Sequence, residues 1–293
     1  MQKTRTVFYN GIISPFPSKK VARKATLCVK CEKISLDIFE KKMYNILDQQ
    51  RIGSKKPTRS LHHRVTERKT NMLTKKNLSI LGDSISTYKG ISDDASANST
   101  LIYNPFFYKE PMPPEKTYWG ILLDSLELAL CVNNSWSGGN LSGKDNPDSG
   151  VNRAHNLTRD DGTAPDLIIV FMGINDLGRR VDIDVFSSDY EKTLAVIRKN
   201  HPKAKVCCVN IPDRDPVLKS RAELFNAAIE CAVKSAGESF FVADLFGSRL
   251  NNDFYYRNTT DGLHPDEDGM RIIAEVIEKA IRENCEQNND SRE

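Results

Sequence analysis

Short apolar runs alternate with longer stretches of helical periodicity from about residue 77 onward. Residues 78–81, 129–133, 166–172, 205–210 and 240–243 read as strands. The third of them, Asp166-Leu-Ile-Ile-Val-Phe-Met172, is apolar along its run, as a strand covered on both faces should be. Between the runs, residues 119–128 predict a helix with Leu122, Leu123 and Leu126 on its inner side. Residues 185–199, with Leu194 and Ile197 inward, and residues 222–235 predict two more. The last helix is expected over 265–283, where Met270, Ile273, Ala274 and Ile277 follow i, i+3, i+4, i+7. Pro265 suits its first turn, and Asp266, Glu267 and Asp268 complement its N-terminal dipole. Strands alternating with helices predict a parallel sheet with helices on both faces. In such sheets, sites gather beyond the carboxyl ends of the strands.

Residues 1–75 follow a different pattern. Their one helical stretch is 34–49, where Ile34, Phe39, Met43 and Leu47 recur at helical spacing. The stretch 53–70 is basic and poor in apolar residues, as in a linker or a poorly ordered arm. The expected division is therefore a basic N-terminal extension, 1–75, and an α/β domain, 76–293. The net charge of +3 hides the same split. Residues 1–76 hold 19 Lys and Arg against 5 Asp and Glu, and the remainder 23 against 34. A basic arm attracts anionic surfaces in a salt-sensitive way. This one lacks interleaved aromatics and any named binding motif, so no nucleic-acid partner is expected. Cys28-x-x-Cys31, with His62 and His63 about thirty residues on, departs from zinc-finger spacing, and no metal or cofactor is expected. The 7 cysteines are odd in number. Cys131, Cys207 and Cys208 fall in apolar runs, which suits free thiols in a reducing, cytoplasmic setting. No apolar stretch has the length of a membrane span. Oligomeric state is left open.

Chemistry concentrates in three places. Ser84 follows the first strand in Gly82-Asp83-Ser84, Asn175 follows the third in Gly173-Ile-Asn175-Asp176, and Asp261-Gly-Leu-His264 precedes the last helix. A serine hydroxyl attacks only when a base takes its proton. His264 is the candidate base, and Asp261 is placed to fix its tautomer. The backbone N–H of Ser84, that of a glycine after the second strand (Gly138 or Gly139) and the Asn175 amide are candidate oxyanion donors. Asp83 is read as a cap for a following helix or as support for the Ser84 loop, and Asp176 as structural. The irregular stretch 88–119 carries Tyr88, Tyr103, Phe106, Phe107, Tyr108, Tyr118 and Trp119. It is a candidate pocket wall or lid, with Tyr88 and Trp136 as candidate substrate contacts; a small satellite core is the alternative.

These residues resemble the SGNH hydrolases, also called GDSL esterases/lipases. Gly82-Asp83-Ser84 resembles the family's first block, with Ile85 in place of the usual Leu. The stretch 133–138 resembles the second and puts the oxyanion glycine at Gly138. Gly173-Ile174-Asn175-Asp176 is similar to the third, and Asp261-Gly262-Leu263-His264 to the block that carries acid and base. The resemblance spans about 78–281 and leaves the first 75 residues uncovered. It implies a flavodoxin-like three-layer α/β/α sandwich with five parallel strands, and a serine esterase that needs no metal. The expected substrate is a small-molecule ester with a short acyl group, a carbohydrate acetyl ester among the choices. An acyltransferase using the same triad and a non-catalytic scaffold with a basic arm are the alternatives.

Overall fold

A computed structural model of the protein describes residues 76–88, 90–92 and 112–285, apart from the side chains of residues 252–254. The expected helix at 34–49, the basic stretch 53–70, Cys28, Cys31, His62 and His63 lie outside the described residues, as do Tyr103, Phe106, Phe107 and Tyr108.

The strands are β1 (Asn77–Gly82), β2 (Ala129–Ser135), β3 (Leu167–Phe171), β4 (Lys205–Val209) and β5 (Phe240–Ala243). The helices are α1 (Tyr118–Ser125), α2 (Gly150–Arg153), α3 (Ile174–Gly178), α4 (Ile183–Asn200), α5 (Lys219–Ala236), α6 (Asn252–Arg257) and α7 (Glu267–Cys285). All five strands pair in parallel, in the order β2-β1-β3-β4-β5. The chain runs from β1 out to the β2 edge, then crosses back over β1 to β3 and on to the other edge. Right-handed crossovers turn that reversal into two helical layers, one on each face. Accordingly α1 packs with α7, and α4 with α5. Every residue of β3 is buried, as its unbroken apolar run requires.

Helix boundaries differ from the sequence pattern by up to three residues, α5 starting at Lys219 rather than 222, and two of the shifts have one local cause each. α1 stops at Ser125, because Glu127 adopts a left-handed conformation (φ 53°) that no α-helix continues. Leu126 is nevertheless fully buried beyond the helix end. α7 starts at Glu267 rather than Pro265. The Asp266 carboxylate accepts from the Gly269 N–H at 2.9 Å, a capping bond that fixes the first turn, while Pro265 pairs with Thr259 in an antiparallel bridge. The periodic face behaves as expected: Met270, Ile273, Ala274 and Ile277 are all buried. So are the thiols of Cys131, Cys207 and Cys208. Among the described residues, no helix is long and apolar enough to cross a membrane.

Candidate active site

Strand register brings the site together. Gly82, the last residue of β1, lies opposite Ser135 on one side and Phe171 on the other. The chain therefore leaves β1, β2 and β3 at one level, and Ser84, the 136–140 loop and Asn175 emerge side by side. Gly82 has no room for a side chain: a Cβ there would lie 2.6 Å from both Ser135 Oγ and Ser86 Oγ. β1 and β3 flank the point where the strand order reverses, the usual crevice of a doubly wound sheet.

Ser84 sits in a tight turn rather than at a helix start. The Ser86 N–H donates to the Asp83 carbonyl at 3.0 Å, and the Thr87 hydroxyl to the Ser84 carbonyl at 2.9 Å. No helix follows, so the Asp83 side chain caps this turn, accepting from the Ile85 N–H at 3.0 Å. The carboxyl is buried, and its pKa is pushed up to about 7 by burial first and by the Asp176 charge; the Ile85 N–H and the Arg153 charge oppose the rise.

His264 arrives from the far end of the chain. Its Nε2 lies 3.0 Å from Ser84 Oγ, and its Nδ1 lies 2.7 Å from Asp261 Oδ2. The other Asp261 oxygen accepts from the backbone N–H groups of Leu263 and His264, at 3.0 and 2.8 Å. One carboxylate thus shapes the loop and aims the ring. The buried Tyr255 hydroxyl donates to the Leu263 carbonyl at 2.7 Å, and the Thr260 N–H to the His264 carbonyl at 2.8 Å. His264 is a buried residue, not a surface one. Burial holds its pKa below the ordinary value, with the Arg214 charge acting the same way and the Asp261 carboxylate opposing. Partial burial raises the Asp261 carboxyl, but the bonds from His264 and Leu263 hold it lower than usual.

The loop after β2 carries both candidate glycines. Gly138 has φ +70°, a conformation that favours glycine. The Gly139 N–H is spent on the Trp136 carbonyl at 3.0 Å, and the Gly139 carbonyl accepts from Asn175 Nδ2 at 3.0 Å. Among the described residues the N–H groups of Gly138 and Ser84 donate to nothing. Asn175 Nδ2 also lies 3.4 Å from Asp83 Oδ2, a long contact that yields readily. Asn175, Gly139 and Asp83 thus form one cluster, with Ser84 and Gly138 next to it in the chain.

Asp176, expected to be structural, and two arginines that the sequence did not single out hold this cluster. Asp176 accepts from the N–H groups of Leu141 and Ser142 at 2.7 and 2.9 Å, tying α3 to the loop after β2. Arg153 of α2 donates to the carbonyls of Gly82, Asn134 and Asp148 and to the Asn134 side chain. The Arg179 guanidinium donates to the Gly138 carbonyl at 2.7 Å and to Asn140 Oδ1. No sequence motif specifies these bonds, since the arginines bind mainly backbone carbonyls and Asp176 binds backbone N–H groups. Tyr88 packs edge-on against Trp119 with ring centroids 6.3 Å apart, and its hydroxyl donates to the Met112 carbonyl at 2.9 Å. Trp136 is half-buried just after β2, and its backbone N–H donates to the Gly82 carbonyl at 3.2 Å.

The sequence profile of the GDSL-like Lipase/Acylhydrolase family matches residues 80–272. No curated protein sequence matches the chain. Among solved structures, a protein described as a GDSL-like lipase from Bacteroides uniformis is 22% identical, with a TM-score of 0.55 over 71% of this chain and 96% of its own. A family 3 carbohydrate esterase from Clostridium thermocellum is 16% identical, with a TM-score of 0.51 over 72% of this chain and 96% of its own. A family 2 carbohydrate esterase with a carbohydrate binding domain, from Corynascus thermopiles (Myceliophthora fergusii), is 20% identical, with a TM-score of 0.50 over 78% of this chain and 68% of its own. At these identities the likeness is one of fold.

Proposed function

The chain belongs to the GDSL-like lipase/acylhydrolase family and is an SGNH-type ester hydrolase, and from that premise we propose that it cleaves short-chain carboxylic esters through Ser84, His264 and Asp261. The observation that carries this reading is the continuous hydrogen-bonded line from Ser84 Oγ through the His264 ring to Asp261, at 3.0 and 2.7 Å. Ser84 Oγ attacks the ester carbonyl as His264 Nε2 takes its proton. Asp261 holds the Nδ1 proton in place and stabilises the imidazolium. The carbonyl oxygen becomes an oxyanion that accepts from the N–H groups of Ser84 and Gly138 and from the Asn175 amide. Asn175 then exchanges its long contact with Asp83 for a charge-assisted bond to the oxyanion. His264 returns the proton to the leaving alkoxide, and the acyl group stays on Ser84. Water, deprotonated by the same nitrogen, attacks the acyl-serine and frees the acid.

The preference for short acyl groups, carbohydrate acetyl esters included, draws support from the carbohydrate esterases among the similar folds. The buried thiols of Cys131, Cys207 and Cys208 suit a reducing, cytoplasmic setting. Hydrolysis of p-nitrophenyl acetate, butyrate and octanoate by wild type and Ser84→Ala tests the reading. Turnover that favours acetate and vanishes in the variant supports it. Equal rates in both proteins would remove Ser84 as the nucleophile, and a preference for octanoate would remove the short-acyl assignment.

A further inference from the structure

Arg214 lies in the loop after β4, at the same edge of the sheet as Ser84 and Asn175. That loop is firmly held. The Asn226 side chain of α5 bonds both the N–H and the carbonyl of Ile211, at 2.8 and 2.9 Å. The Arg214 N–H donates to the Pro212 carbonyl at 3.0 Å. The guanidinium reaches the face of α3 that carries Asn175: a Cβ placed on Gly178, three residues after Asn175, would be 3.9 Å from an Arg214 terminal nitrogen. Its charge is also felt at the His264 ring and at the Tyr255 hydroxyl. Arg214 therefore lies beside α3 and near enough to the His264 ring for its charge to act there.

What makes this arginine different is what it lacks. Arg153 and Arg179 spend their donors on named carbonyls. The Arg214 side chain makes no hydrogen bond or ion pair among the described residues, and its Nε is buried with no partner. The acids beside it are engaged elsewhere: Asp213 pairs with Lys219 at 2.9 Å, and Asp215 accepts from the Val217 N–H at 2.8 Å. A partly desolvated guanidinium without an anion is a cost to the fold, and such costs cluster at sites that bind something. The planar fork of arginine matches a carboxylate through two parallel bonds. We infer that Arg214 determines specificity by holding a carboxylate carried by the ester substrate. This rests on the esterase reading above, and it narrows the substrate class from short esters in general to anionic ones. The carboxylate belongs to either the acyl or the alcohol part.

Two pairs of esters separate those sources. Monophenyl glutarate and phenyl pentanoate differ by a carboxylate on the acyl side, and para-acetoxybenzoate and its methyl ester by one on the alcohol side. Wild type is expected to favour the charged member of one pair in kcat/KM. Arg214→Gln is expected to lower that charged-to-neutral ratio by about 10- to 100-fold, the span of a charge-assisted hydrogen bond. Arg214→Lys, which keeps the charge but not the fork, should fall between. No preference for the charged member in either pair, or a preference unchanged in Arg214→Gln, overturns the inference. If wild type hydrolyses none of the four esters, the esterase reading fails separately. The arginine site is then decided by calorimetric titration of glutarate: binding by wild type that Arg214→Gln lacks supports it, and no binding by wild type overturns it.

Discussion

Asp83→Asn should make the protein more stable at neutral and alkaline pH, by an amount that depends on pH in a defined way. Asp83 is 1% exposed and its carboxyl is pushed up to about 7, burial being the main cause. Below the unfolded value of 3.8, both the native and the unfolded carboxyl hold their proton, and ionisation costs nothing. As pH rises from there towards 7, the unfolded chain releases its proton while the native protein keeps it. The unfolded state gains with each step, by at most about 1.4 kcal/mol per pH unit. Above about pH 7 both forms are ionised, and the loss levels at about 4 kcal/mol. Asparagine keeps an oxygen for the Ile85 N–H and never ionises, so it escapes this loss. Urea unfolding of both proteins between about pH 3.5 and pH 8 checks it. The stability difference, variant minus wild type, should climb by about 4 kcal/mol across that range and then flatten; carboxyls that do not interact with Asp83 titrate alike in both proteins and subtract out. A difference that stays flat, or moves in favour of aspartate as pH rises, would refute the claim that a buried, reluctantly ionised Asp83 sits beside Ser84. The same variant should lose activity, because its new amide faces the Asn175 amide donor to donor.

Three further outcomes follow from the site geometry. Asn175→Ala should lower kcat by about 100- to 1,000-fold with little change in KM, since its amide serves the oxyanion and not the ground state; a rise in KM alone would argue for a substrate-binding role instead. Gly138→Ala, forced into a conformation with φ +70°, should destabilise the protein by about 1–2 kcal/mol in urea unfolding and reduce kcat as the turn shifts. The acid limb of kcat/KM should fall below pH 6.5, because burial and the Arg214 charge keep His264 neutral to lower pH than usual, and activity disappears only as the ring gains its proton; a limb above 6.5 would contradict the environment described for the ring.

The fold was legible because each strand is both short and apolar. The run 166–172 had one sensible interpretation, and β3 formed within a residue of each of its ends. Helix ends were harder to read, because they depend on single backbone events: the left-handed Glu127 cut α1 short, and the Asp266 cap displaced the start of α7 past Pro265. Ser84, Asn175, Asp261 and His264 stood out because their chemistry is carried by side chains in compact motifs. Arg153 did not, and Asp176 was legible only as a structural residue. They act by binding backbone groups of loops that come near only once the sheet has formed. Arg214 was invisible for a different reason: it sits between Asp213 and Asp215 in the sequence, where a solvated ion pair is the natural reading, and only the fold engages those two acids elsewhere.

The hydrogen bond between Ser84 and His264 spans 180 residues of chain. A polypeptide is made from its N-terminus, so the serine turn and the loops bearing Gly138 and Asn175 exist well before the histidine is added. The histidine loop is then set in place between β5 and a helix, α7, that packs on β4, β5 and α1. Contacts of such long separation close late in folding. On the proposed mechanism, a nascent chain that stops short of His264 would therefore carry an inert serine.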